Sequence, residues 1–284
     1  MSWTLTPDVE AYARAVSELF GADPVRHSVL MTVLASLVKH GPNVYGDDPP
    51  ILAWWSPDAS GPAQAAVLRT PPHPMHLSNL PESAVAPLVT ALLAAGVAEI
   101  GSVIAAEPDA TVFAAAWSAA TGEQFSVQKR QRLYRLDGLI PLDPGPAGWA
   151  RIAAAADERV VRQWDAEFAA ETGQSGGSGT VLIDRLSAGR YVLWEADGEP
   201  ASIASVTEMI GGVARVGQVY TPPDRRGRGY GGAVTVAATK LVLDQGAASV
   251  VLFTDLANPI SNSLYLKLGY RPVEDRVLLA SGQG

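Results

Sequence analysis

Cysteine is missing altogether from the 284 residues. That excludes disulfides, thiolate metal sites and cysteine nucleophiles. Charge is sparse, at 18%, and its balance is acidic, with a net charge of -8. Residues 1–142 carry 8 Lys and Arg against 13 Asp and Glu; residues 143–284 carry 13 against 16. Neither half offers the basic face that a general nucleic-acid binder uses. No apolar run reaches the length of a membrane-spanning helix. Met1 to Asp8 lack a basic region followed by an apolar core. No signal peptide is therefore expected, and a cytoplasmic protein without membrane partners is the default expectation. A G-K-[ST] phosphate loop is absent as well, which argues against an ATPase. His73 and His76 stand three apart around Pro74 with no clear third ligand, so no metal is expected.

What is present is a chain rich enough in apolar residues (48%) to bury sizeable cores, and long enough for one large domain or two ordinary ones. One stretch dominates. Arg225-Arg226-Gly227-Arg228-Gly229-Tyr230-Gly231-Gly232 places three arginines and four glycines in eight residues, between a strand pattern and a helix pattern. A turn stripped of side chains there presents backbone N–H groups at a helix N-terminus. Those donors, the helix dipole and the guanidinium groups together suit a diphosphate. Three readings of the loop stand side by side. Gly227 to Gly232 formally match G-x-G-x-x-G, but Thr221 to Arg226 separate the strand from the first glycine, and Asp244 and Asp255 fit the ribose-binding acid poorly. A glycine-rich turn with solvated arginines is the bland reading. Another phosphate-bearing cofactor is the third.

The two halves echo each other. Thr70-Pro71-Pro72 recurs as Thr221-Pro222-Pro223, a helix-ending Gly96 as Gly246, Ser102-Val103-Ile104 as Ser249-Val250-Val251, and Gly122 as Gly269. The spacings are 151, 150, 147 and 147 residues, in the same order. This suggests two copies of one fold. The boundary is expected in Asp137 to Pro146, where three prolines and two glycines fall in ten residues. A second weak point is Thr172 to Gly179. In the second half, Trp149 to Glu171 reads as mainly helical, with Val160, Val161, Trp164 and Phe168 at helical spacing. Strands follow at Tyr191 to Trp194, through Ile203 to Val206, and from Val213 to Thr221, with turns at Asp197-Gly198 and Gly211-Gly212. Val234, Ala237, Ala238, Leu241 and Val242 mark a helix, and Gly246 suits its C′ position. Asn258 caps a last helix with Pro259 at its first position. A terminal strand pair is expected around Tyr270 and Val277 to Leu279.

On these residues the chain resembles the GNAT acyltransferase superfamily. Arg226-Gly227-Arg228-Gly229-Tyr230-Gly231 matches the family's [Q/R]-x-x-G-x-[G/A] pyrophosphate loop. Thr254 to Tyr270 are similar to its second signature: a strand, an Asn-capped helix bearing a tyrosine, then Gly-Tyr. The resemblance implies an α/β (α+β type) fold of two tandem GNAT-like domains, each a mixed, mostly antiparallel sheet flanked by helices. Residues 1–137 would be a degenerate copy, 138–146 a linker, and 147–284 the catalytic domain. It implies an acetyl-CoA or other acyl-CoA co-substrate lying beside splayed central strands, its pantetheine arm paired with Gln218, Val219 and Tyr220 as an added strand would be. It implies an N-acyltransferase acting on a small-molecule amine. A non-catalytic acyl-CoA-binding module is the alternative, and a homodimer stays open.

Roles follow from that resemblance. Loop amides from Arg226 to Gly231, with Tyr230 among them, and the side chains of Arg225, Arg226 or Arg228 would anchor the diphosphate. A backbone N–H near Val219 or Tyr220 would polarise the thioester carbonyl. Tyr265 stands where the family carries its tyrosine acid, and would protonate the departing thiolate. Asn258, Ser261 and Asn262 would approach the pantetheine arm, although Asn258 also reads as a plain helix cap. Glu208 is the first candidate for general base, with Asp255 and Glu195 behind it. Aligned through the repeat, Met75 falls at Arg226, Ser78 at Gly229, Leu80 at Gly231 and Ser118 at Tyr265, so the first half is expected to lack the cofactor equipment. Trp54 and Trp55 either line an acceptor cleft or lie in the core.

Overall fold

The computed structural model describes residues 2–58, 61–173 and 178–282. The chain forms two compact units. The first comprises Met1–Arg132, Asp255–Ala257 and Glu274–Gly284; the second comprises Leu133–Thr254 and Asn258–Val273. Neither is contiguous in sequence. Among the described residues no helix is long and apolar enough to cross a membrane.

The first half supplies β1 (Ser2–Thr6), α1 (Val9–Ala22), α2 (Ser28–His40), β2 (Ile51–Ser56), β3 (Ala65–Arg69), β4 (Met75–Leu77), α3 (Glu82–Ala94), β5 (Ser102–Ala106), α4 (Glu107–Thr121) and β6 (Phe125–Leu136). The second half supplies β7 (Trp149–Ile152), α5 (Glu158–Thr172), α6 (Gly179–Ser187), β8 (Tyr191–Ala196), β9 (Glu199–Val206), β10 (Val213–Tyr220), α7 (Tyr230–Asp244), β11 (Ser249–Asp255), α8 (Pro259–Lys267) and β12 (Tyr270–Ser281).

In the first unit β1, β2, β3 and β4 pair antiparallel in succession, and β4 pairs parallel with β5. The sheet is completed by the far end of β12, where Arg276 to Ala280 run antiparallel to Ala106 to Ser102. One face packs on α3 and α4 around Trp55, Met75, Phe113 and Trp117; the other packs on α1 and α2 around Tyr12, Leu30, Leu37 and Leu68. In the second unit β7, β8, β9 and β10 pair antiparallel in succession, and β10 pairs parallel with β11. Both units are therefore mixed, mostly antiparallel sheets flanked by helices. A parallel pair needs a crossover, and α3 and α7 provide it.

Four expectations need correction. Trp149–Ile152 is not helical but an edge strand, paired from Trp149↔Glu195 to Ile152↔Val192; the helical spacing takes hold only after Glu158, because a sheet partner overrides a weak local preference. The terminal strand pair is one continuous strand of 12 residues. Its Pro272 loses a donor but keeps a strand-compatible φ. Thr70-Pro71-Pro72 sits between β3 and β4, whereas Thr221-Pro222-Pro223 follows β10. By strand order β4 corresponds to β10, so that first pairing of the repeat is out of register while the other three hold. Met75, placed opposite Arg226, is buried on β4 and not on a loop.

The Pro/Gly-rich stretch is docked on the second unit. The Asp137 N–H donates to the Gly269 carbonyl and the Ile140 N–H to the Leu268 carbonyl, each at 3.0 Å. Helix α5 runs to Thr172 and ends at Gly173 in the left-handed region. Residues 174–177 of the expected loop lie outside the described residues.

Candidate active site

The site lies wholly in the second unit, where β10 parts from β11. Their parallel register runs from Val213↔Ser249 to Val216↔Leu252 and stops. Strand β10 continues to Tyr220, so its last residues face β11 without pairing to it. On the other side β10 is bulged against β9: Gly217 opposes Ser205, but Tyr220 opposes Ile203. Gln218, at the bulge, takes a left-handed φ of 47°, and its side-chain nitrogen is buried with no partner among the described residues. A non-glycine residue held there costs on the order of 1–3 kcal/mol, and such strain gathers at functional sites. Two buried serines of β9 secure the bulge: Ser205 Oγ donates to the Gly217 carbonyl at 2.9 Å and Ser202 Oγ to the Tyr220 carbonyl at 2.8 Å. Neither serine stood out in the sequence, since alternation along a strand does not say which carbonyl a hydroxyl meets.

A short turn, Pro223–Arg225, leads from β10 into the loop. Gly227 and Gly229 have φ of 76° and 83°, and Gly229 is the N-cap of α7. The Ala233 N–H is the first to join the helix ladder, donating to the Gly229 carbonyl at 3.0 Å. Among the described residues the amides from Gly227 to Gly232 meet no backbone acceptor. A Cβ on Gly231 would stand 3.3 Å from Thr221 Oγ1, and one on Gly232 would stand 3.0 Å from Leu142 Cδ1. The glycines therefore both open the amides and allow the close packing of α7.

The three arginines are not equivalent. Arg225 pairs with Glu199 at 2.9 Å. Arg226 pairs with Glu171 at 2.6 Å, donates through Nε to the Thr221 carbonyl at 2.9 Å, and lies over the Tyr220 ring at 5.8 Å. Arg228 meets no carboxylate among the described residues and reaches only the Asp224 carbonyl, at 3.5 Å. Tyr230 turns its side chain into a small core with Ala196 and Ala201, leaving its amide for the loop. The Tyr220 hydroxyl donates to Glu167 at 2.9 Å, and burial together with that carboxylate raises its pKa to about 12. Its ring therefore points toward α5, and Val219 packs on the opposite core.

Tyr265, the candidate acid, lies on α8 and is buried. Its ring packs between Tyr134 (6.5 Å between centroids) and Tyr270 (6.1 Å). Burial raises its pKa to about 12. Among the described residues no group accepts or donates a hydrogen bond at its hydroxyl, whereas the Tyr270 hydroxyl pairs with Thr239 Oγ1 at 2.6 Å. Asn258 Oδ1 accepts from the Ser261 N–H at 3.0 Å, so Asn258 is the cap of α8. Asn262 is engaged inward: its Oδ1 accepts from the Tyr134 hydroxyl at 2.9 Å and its Nδ2 donates to the Asn258 carbonyl at 2.7 Å. Tyr134 was not singled out from the sequence. It lies on β6, far from α8 in the chain, and only the fold brings the two together.

Of the candidate bases, Glu208 is exposed in the β9–β10 turn and pairs with Arg190 at 3.3 Å. Glu195, on β8, is tied to Arg151 of the edge strand β7. Asp255 belongs to the first unit and pairs with Lys129 at 3.5 Å. In the first unit, Ser78 to Pro81 join β4 to α3 with no glycine, and β4 is three residues long against eight for β10. Trp55 is buried in one core of that unit and Trp54 packs against Tyr12 in the other, which corrects the cleft-lining reading.

Residues 149–270 match the model of the acetyltransferase (GNAT) family, and this part of the chain is a domain of that family. Among curated proteins the chain is similar to the mycothiol acetyltransferases of Arthrobacter sp. (strain FB24), 43% identical over 63 residues, and Paenarthrobacter aurescens (strain TC1), 41% identical over 58 residues. Those matches span 21% and 19% of this chain, and only about a fifth of each relative (20% and 18%). Among solved structures, a GCN5-related N-acetyltransferase from Sphaerobacter thermophilus aligns with a TM-score of 0.65 and 17% identity over 98% of this chain and 94% of its own. A tandem GNAT protein from the clavulanic acid biosynthesis pathway aligns over 100% of both chains, with a TM-score of 0.58 and 16% identity. At such identities these structures establish the fold alone.

Proposed function

We propose that the protein is an acyl-CoA-dependent N-acyltransferase that moves an acetyl group from acetyl-CoA to a primary amine by direct attack in a ternary complex. The observation that carries this reading is the run of amides from Gly227 to Gly232 that meet no backbone acceptor among the described residues, set at the end of a strand whose last residues do not pair with β11. The thioester supplies an activated acyl group and a thiolate leaving group. The chain's residues do the rest. The loop amides hold the diphosphate, with Arg228 as the available guanidinium; Arg225 and Arg226 serve chiefly to fix the loop against Glu199 and Glu171. The free edge of Gln218 to Tyr220 receives the pantetheine amides, and an N–H at Val219 or Tyr220 faces the carbonyl oxygen as it gains charge. Tyr265, protonated at all physiological pH values, donates to the departing sulfur.

Glu208 fits a base only if its contact with Arg190 opens, and that ion pair favours the second reading: a module that binds acyl-CoA without turnover. One experiment separates them. Acetyl-CoA binding is measured by calorimetry, and thiol release is followed with a panel of amino sugars, amino acids, polyamines and mycothiol-related amines. Saturable binding with turnover supports the enzyme. Binding without turnover across the panel supports the module, and no binding rejects both. The first unit, with its short β4 and glycine-free junction, is proposed as a degenerate copy that does not hold the cofactor.

A further inference from the structure

The side-chain chain from β6 to α8 has no counterpart in the roles assigned above. Tyr134 is 1% exposed, and among the described residues its hydroxyl has one partner, Asn262 Oδ1 at 2.9 Å. The Asn262 amide nitrogen is fixed on the Asn258 carbonyl at 2.7 Å, and Asn258 itself caps the first turn of α8. The same Tyr134 ring lies 6.5 Å from that of Tyr265, one turn further along the helix. A helix of 9 residues cannot hold its own geometry firmly. Its first turn is pinned from outside, and the pin and the ring contact come from one side chain. Among the described residues Tyr265 has no hydrogen bond of its own to fix where its hydroxyl points, so its direction depends on the helix and on neighbouring rings.

We infer that Tyr134 is a positioning residue for Tyr265, acting through Asn262 and the first turn of α8. The inference rests on the reading of Tyr265 as the proton donor. It also reassigns Asn262 from a cofactor contact to the middle of this relay.

The test is a double-mutant cycle with Tyr134→Phe, Tyr265→Phe and the pair. Phe keeps both rings and removes only hydroxyls. Thiol release from acetyl-CoA is measured with the panel amine of highest kcat/KM, and as hydrolysis in its absence. Losing one buried hydrogen bond predicts a fall in kcat of about fivefold to tenfold for Tyr134→Phe, with KM for acetyl-CoA within twofold of wild type. In the Tyr265→Phe background the same change alters kcat by less than about twofold. In protein labelled with 13Cζ-tyrosine, the Tyr265 resonance, identified by its loss in Tyr265→Phe, shifts in Tyr134→Phe. Equal falls in both backgrounds, or an unmoved resonance, overturn the positioning role while leaving Tyr265 as the acid. An unchanged kcat in Tyr265→Phe removes the acid, and the positioning role with it.

Discussion

Replacing Tyr265 by Phe separates chemistry from stability more cleanly than any other change in this site. The ring is retained, with its contacts to Tyr134 and Tyr270 at 6.5 and 6.1 Å. The hydroxyl has no partner among the described residues, so its loss forfeits no internal hydrogen bond. The stability change is expected within about 0.5 kcal/mol. Tyr270→Phe is the contrast: it breaks the bond to Thr239 and should cost about 1 kcal/mol. The effect on rate has a bound. A general acid contributes about 10²- to 10⁴-fold. Two facts place Tyr265 at the low end. A thiol ionises near pKa 8.5, so its anion leaves tolerably without help. The phenol, pushed up to about 12 by burial, is a weak donor. The same dry surroundings raise the basicity of a thiolate formed beside it, which narrows the mismatch. A fall of about 100-fold in kcat is expected, equivalent to ~3 kcal/mol in the barrier. KM for acetyl-CoA should stay near wild type. Because the phenol remains protonated well past pH 10, it should impose no alkaline loss of kcat below that point. The assay is thiol release at saturating acetyl-CoA, under conditions where a solvent isotope effect shows the proton-transfer step to limit the rate. A kcat within twofold of wild type would refute the reasoning, and so would a drop of several degrees in the unfolding midpoint.

Three further expectations concern the loop and the first unit. Gly229→Ala puts a Cβ at φ 83° with Pro146 only in ordinary contact at 3.7 Å, so the cost is conformational, about 1–2 kcal/mol; calorimetry should show acetyl-CoA binding weakened about 5- to 30-fold, and unaltered affinity would count against the cradle. Arg228→Gln should weaken binding by about tenfold and flatten its salt dependence, because a charge-assisted hydrogen bond is worth about 1.5–3 kcal/mol; Arg225→Gln, whose charge Glu199 already partners, should do less, and the reverse ranking would sink the distinction. His27 is buried against Phe20, and desolvation lowers its pKa below 6.5. A depressed pKa gives stability that is present above about pH 6.5 and lost as pH falls through the folded-state value. Urea unfolding at pH 7.5 and pH 5 should therefore show a loss that His27→Phe reduces, and equal pH dependence in both proteins would reject this assignment.

Much of the second unit was legible in the chain because its signals are local. Gly227, Gly229 and Gly246 mark backbone that turns left-handed. Val234, Ala238 and Val242 recur at helical spacing because one face of α7 is buried. Asn258 and Pro259 announce a helix start with the group that satisfies its orphan N–H. These determine where the loop, the helices and the hairpins fall, and they suffice to bring the family into view. Local pattern failed where a distant partner decides. Trp149 to Ile152 became a strand because β8 offers an edge, and Thr70-Pro71-Pro72 matched its echo in letters but not in place.

What tertiary structure alone decided is how far each partnership extends. The sequence names β10 and β11 but not the point, after Val216 and Leu252, at which they cease to pair. It shows three arginines but not that Glu199 and Glu171 occupy two of them. It shows Tyr265 but not the Tyr134 ring and the Asn262 bridge beside its helix. Periodicity and turn chemistry act over a few residues, so they are written in the chain; ion pairs, register limits and ring contacts join residues tens to more than a hundred positions apart, and exist only once the backbone has brought them within bonding distance.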